Sequence, residues 1–170
     1  MYTFILNLLQ EDRNMSEHTY TARVVWTGNR GQGTTTYKGY DRTWNVETPG
    51  KPVIPCSNDP LLGGDPSLHN PEDLMIASVS SCHMLWYLHL ASNAGIAVSA
   101  YYDDPLCVGE SEKSGAGRFL HATLRPSITV PVGTDLSVAD AIHHEIGKVC
   151  YIARSVNFPI AHEATYYFSE

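Results

Sequence analysis

The stretch Asn70–Gly95, NPEDLMIASVSSCHMLWYLHLASNAG, decides the fold. Asn70 is placed to cap a helix, Pro71 fits the first helical position, and Glu72 and Asp73 meet the positive end of the helix dipole. The run that follows is apolar nearly all round, which predicts a buried central helix. Asn93 and Gly95 are stop signals. Cys82 sits in the middle, flanked by Ser80, Ser81 and His83. Small polar neighbours in a greasy helix suggest a pocket around the thiol. A core cysteine beside a hydrogen-bonded histidine is the other reading, because burial alone raises a thiol's pKa and leaves it inert.

Upstream, residues 18–27 (HTYTARVVWT) alternate polar and apolar, as a strand does. Gly28, Asn29, Gly31 and Gly33 form a turn, and residues 34–39 and 42–47 read as two further short strands. Residues 48–69 are rich in proline and glycine and show no period, which predicts a long irregular loop. Downstream, residues 96–102 and 118–130 read as strands, with an exposed turn carrying Cys107 between them. Ser137 is placed to cap a second helix running to Arg154, its apolar side made by Val138, Ala141, Ile142, Ile146, Val149 and Ile152. Cys150 lies near the end of that helix, and His143 and His144 read as exposed positions on it. Residues 158–168 close the chain as a strand. The order predicts an α+β protein with an antiparallel sheet.

The chain has 170 residues, of which 43% are hydrophobic and 17% charged, and this fits one soluble domain. The net charge of −7 argues against nucleic acid or an anionic membrane as the main partner. Met1–Leu9 is apolar but has no basic flank or cleavage site, so it is a poor signal peptide and too short to span a bilayer. Residues 1–16 read as an N-terminal extension, with 1–14 an appendage or a mis-called start ahead of Met15. Residues 17–170 read as a single domain, placed in the cytoplasm for want of a targeting signal.

Four cysteines, Cys56, Cys82, Cys107 and Cys150, are too few and too spread for a disulfide-stapled secreted fold. Cys82, His83, His89, His143, His144 and Cys150 carry the atoms a zinc ion takes, but no C-x-x-C or H-E-x-x-H spacing is present. Neighbouring helical residues also point about 100° apart. The turn TGNRGQGT is short and lies between strands, so it is weak as a phosphate loop. Arg30 in that turn, and Arg42 beyond it, are each either a solvated charge or a partner for an anion or thiolate.

Taken together, NPEDLMIASVSSCHM closely resembles the signature of the OsmC/Ohr proteins, the osmotically inducible and organic-hydroperoxide-resistance group. Cys82 stands ten positions after Glu72, as in that pattern. KVCYIARSVNFPIAHEATYY resembles the family's second-cysteine helix and final strand, and Trp26-Thr27-Gly28 with Arg30–Thr34 is similar to its opening. The resemblance covers roughly residues 18–168. It implies an OsmC-like fold, an intertwined homodimer whose antiparallel sheets wrap long central helices. It implies a peroxidase for organic hydroperoxides, and less well for hydrogen peroxide, needing no cofactor. Cys82 would attack the peroxide, Cys150 would resolve the sulfenic acid to a disulfide, and a dithiol reductant, typically a lipoylated protein, would restore both. Glu72 would orient the arginine that faces Cys82, which is Arg30 or Arg42, with Arg30 favoured by the glycine turn. Leu74, Met75, Leu85 and Trp86 would wall the substrate. His83, His89 and Cys56 depart from the pattern. A redox sensor, or a ligand- or metal-binding protein on the same fold, is the competing reading.

Overall fold

The computed structural model describes residues 16–169, so the extension at 1–14 lies outside the described residues. Helix α1 spans Pro71–Asn93. The Asn70 side chain accepts the Asp73 N–H at 2.7 Å, and the Asp73 carboxylate accepts the Asn70 N–H at 3.2 Å. This reciprocal cap is the reason the helix starts where it does. At the other end Gly95, with φ +73°, takes the left-handed conformation that releases the chain.

Within α1 only Val79, His83, Tyr87 and Ala91 are buried, a single stripe at four-residue spacing. The expectation of a helix buried on every side is therefore corrected. Met75 and Leu85 are 38% and 62% exposed, because one chain covers one face of the helix. By length and composition α1 could also cross a membrane. Its buried stripe instead joins the core made with Ile128, Val130, Ile142, Ile146 and Cys150.

The chain divides into two compact units, Met1–Cys56 and Ser57–Glu170. In the first, β1 (Arg23–Trp26), β2 (Trp44–Glu47) and β3 (Ile54–Cys56) form one antiparallel sheet in the order β1-β2-β3. Residues 34–39 are turns, not a strand. Positive φ at Gly31 and Gly33 and the Gly39 N–H to Thr36 O bond fold them back. The loop predicted for 48–69 yields β3, whose Pro55 is tolerated because β3 is an edge strand.

In the second unit, β4 (Ala100–Asp103), β7 (Pro126–Pro131) and β9 (Thr165–Ser169) make one sheet. Strands β5 (Leu106–Ser111), β6 (Gly117–Leu124) and β8 (Ile160–His162) make another. The α+β class holds, but β8 and β9 join parallel to β6 and β7, so the sheets are mixed. The turn expected around Cys107 is instead β5, paired with β6 as a hairpin. Residues 118–130 and 158–168 each break into two strands that serve different sheets. Asp103 accepts the Arg125 N–H at 2.6 Å at the first break, and Leu124 O accepts the Glu163 N–H at 2.8 Å at the second.

Helix α2 spans Leu136–Val149, capped by Asp135 rather than Ser137. The Asp135 carboxylate accepts both the N–H and the hydroxyl of Ser137. The helix ends at Val149, five residues short of the predicted Arg154, because Cys150 turns extended (φ −64°, ψ 116°). A short turn at Ala153–Ser155 follows. The buried side of α2 is Ala139, Ile142, His143 and Ile146, while Val138 and Val149 face out.

Candidate active site

Cys82 lies half-buried in the middle of α1, and Cys150 lies at the end of α2, 1% exposed. The end of α2 brings them together. Cys82 packs on the core cluster that contains Cys150, and the two thiols are hydrogen-bonded to each other. Both are free thiols. Burial, followed by the bond with Cys82, pushes the Cys150 thiol up to about 11. The Ala153 N–H, donated to Cys150 Sγ at 3.4 Å, works the other way. Cys150 therefore holds its proton at neutral pH. Cys56 is fully buried at the end of β3, and its thiol is pushed up by burial alone.

Ser80 donates its hydroxyl to Asp103 at 2.6 Å, tying the α1 turn before Cys82 to β4. Glu72 is exposed in the first turn of α1, about 15 Å along the helix from Cys82 at 1.5 Å per residue. Of the expected substrate walls, Met75 and Leu85 are exposed, and Trp86 packs on the core. Both arginines belong to the first unit. Arg30 donates to Lys38 O at 3.0 Å and pairs with Asp41 at 3.1 Å, in a turn where the Asn29 side chain accepts the N–H groups of Gly31 and Gly33. Arg42 donates to Tyr37 O at 3.2 Å, with its guanidinium 4.4 Å from the Tyr37 ring centre and 5.1 Å from that of Tyr40.

The sequence reading missed a histidine cluster. His83 Nε2 and His143 Nδ1 are 2.8 Å apart. His143 stacks on His162 at 4.8 Å, and His144 meets His162 edge-on at 4.9 Å. His143, expected to be exposed, is 2% exposed, because its side of α2 faces α1. Burial, then the charge of His162, lowers His83 to about 4; burial, then the neighbouring rings, lowers His143 to about 3. His83, His143, His144, His162 and Cys150 line one cavity of about 410 Å³, together with apolar residues such as Leu124 and Ile146. Among the described residues no three donors converge on a metal position. His89 faces outward and bonds Asn93 at 3.2 Å. The adjacent His143-His144 was the one signal in the sequence, and nothing local linked it to His162.

A family profile described as OsmC-like protein matches residues 64–165, more than half of the chain. The chain belongs to the OsmC-like family. An OsmC-like protein of unknown function from Vibrio cholerae is similar at TM-score 0.77 and 27% identity, over 89% of this chain and 100% of that one. An organic hydroperoxide resistance protein from Elizabethkingia anophelis superposes at TM-score 0.63 and 18% identity, over 91% of this chain and 100% of that one. OhrB of Bacillus subtilis, also an organic hydroperoxide resistance protein, does so at TM-score 0.58 and 17% identity, over 86% and 98%. At those identities the last two show the shared OsmC-like fold alone. No curated protein matches the chain.

Proposed function

We propose that this OsmC-like protein is a thiol peroxidase that reduces organic hydroperoxides through Cys82 and Cys150. The observation that carries this reading is the contact between the two free thiols, one half-buried and the other buried with its proton held. The Cys82 thiolate attacks the distal peroxide oxygen. The O–O bond breaks, alcohol leaves once protonated, and Cys82 becomes a sulfenic acid. Cys150 then displaces hydroxide from that sulfur to form a disulfide and water. A dithiol reductant, a lipoylated protein by family resemblance, exchanges with the disulfide and restores both thiols.

A guanidinium would stabilise the thiolate, and Arg30 is the better candidate. It is held by one carbonyl and one exposed carboxylate, whereas Arg42 lies against two tyrosine rings. Glu72 would orient it. The exposed Met75 and Leu85 on α1 suit coverage by a second copy, as in the homodimer the resemblance implies. Four free thiols suit a reducing compartment such as the cytoplasm.

The test is turnover of cumene hydroperoxide with dithiothreitol or reduced lipoamide. Cys82→Ser is expected to abolish it, and Cys150→Ser to stall the protein as a sulfenic acid that dimedone traps. Unchanged turnover in Cys82→Ser would sink the proposal.

A further inference from the structure

The resolving step, which rests on the peroxidase reading, contains a proton transfer that neither cysteine accounts for. As the Cys150 sulfur attacks Cys82, an S–S bond forms and the S–O bond breaks. The Cys150 proton must then reach the departing hydroxide to give water. Cys150 is buried and its thiol is pushed up to about 11, so it ionises poorly unaided. A base close to it would speed the attack.

The cavity that Cys150 lines holds four other ionisable side chains, all histidines. His83 and His143 are bonded to each other at 2.8 Å and are the two deepest rings. Their reluctance to take a proton, at about 4 and about 3, makes them weak acceptors. His144 sits exposed on α2. His162 differs from all three. It is half-buried on β8, in register with Leu124 of β6, and so reaches both the cavity and solvent. The groups facing it are His83 on α1 and His143, His144 and Asp140 on α2. Burial, then the charge of His144, lowers His162 below the ordinary histidine value, and Asp140, the one acid among them, works the other way.

We propose that His162 accepts the Cys150 proton across this cavity during disulfide closure and returns it to the leaving hydroxide. The cavity is roomy enough for water to carry the proton between them, with the histidine ring nitrogens as its hydrogen-bond partners. Asp140 is a positioning residue that tunes His162.

The experiment is a single turnover of the reduced full-length protein with cumene hydroperoxide between pH 5 and 9. It follows dimedone-trapped sulfenic acid and disulfide formation separately. His162→Gln is expected to form sulfenic acid at the wild-type rate but to close the disulfide about 100-fold more slowly, and without the pH inflection that His162 gives the wild type. Asp140→Asn, which leaves every ring in place, is expected to move that inflection to lower pH. Wild-type closure with an unchanged profile in His162→Gln, or an unmoved inflection in Asp140→Asn, would overturn the role of His162. Failure of the wild type to form any sulfenic acid would instead strike the peroxidase reading, and this proposal with it.

Discussion

The two units hold their polar groups by opposite means. In the first, Val24 is 66% exposed, and the arginines are fixed by loop carbonyls, an exposed carboxylate and tyrosine faces. In the second, thiols and imidazoles are fixed by packing between α1, α2 and β8. Groups held at a surface keep near-solution behaviour and gain little energy from pairing. Groups held by packing have their proton affinities moved by burial, as His83, His143 and Cys150 do. The chemistry of the proposed reaction therefore depends on core integrity in one unit and on turn geometry in the other.

The largest effect should come from breaking the packed unit. Tyr87 is fully buried and stacks on His143 at 4.5 Å. Tyr87→Ala is expected to cost roughly 3–5 kcal/mol in urea unfolding, as truncation of a large buried ring does. Val46→Ala in the half-exposed β2 is expected to cost about 1 kcal/mol or less. Equal losses would erase the contrast between the units.

Acid should reveal the same contrast. His83 and His143 sit at about 4 and about 3 in the folded protein, below the ordinary histidine value near 6.5. Between those limits the unfolded chain binds protons that the folded one refuses. Stability is then complete above about pH 6.5 and falls as pH drops toward the folded values. The gap for His83 corresponds to roughly 3 kcal/mol, and repulsion between the rings keeps the two from adding simply. Urea midpoints at pH 7.5 and pH 5 measure this loss. His143→Phe should flatten the dependence.

The arginines sharpen the comparison next. Arg30→Ala is expected to lower kcat/KM for cumene hydroperoxide about 100-fold with little change in stability, a loss typical of removing one charge-stabilising donor. Arg42→Ala should leave kcat/KM within about threefold and cost roughly 1 kcal/mol through its two tyrosines. The reverse pattern would transfer the role to Arg42.

Much of this was legible because its causes are local. The Asn70-Pro71 start of α1, its end at Asn93 and the identity of the second cysteine helix all follow from caps and periodicity within one segment. What was not legible depends on distant partners. Nothing near Arg125 says that the chain changes sheets there; the reason is Asp103 on another strand. His143 reads as a surface residue until α1 places His83 against it. Cys150 reads as helical because the pattern runs on past it, whereas the turn at Ala153–Ser155 ends the helix and binds the sulfur.

The smallest expected effect tests whether the locally coded start of α1 affects the packed site. Asn70→Ala removes the acceptor for the Asp73 N–H and frees the first turn of α1. Loss of such a cap costs about 1 kcal/mol. Cys82 is twelve positions further along, beyond the buried Val79 that anchors the helix. Fraying at the first turn should stop at that anchor, so the rate of sulfenic acid formation should be unchanged while the urea midpoint falls. A parallel fall in both would mean that α1 moves as one rod from Asn70 to Cys82. The site would then be coupled to a surface cap that holds it no differently from the loop that holds Arg30.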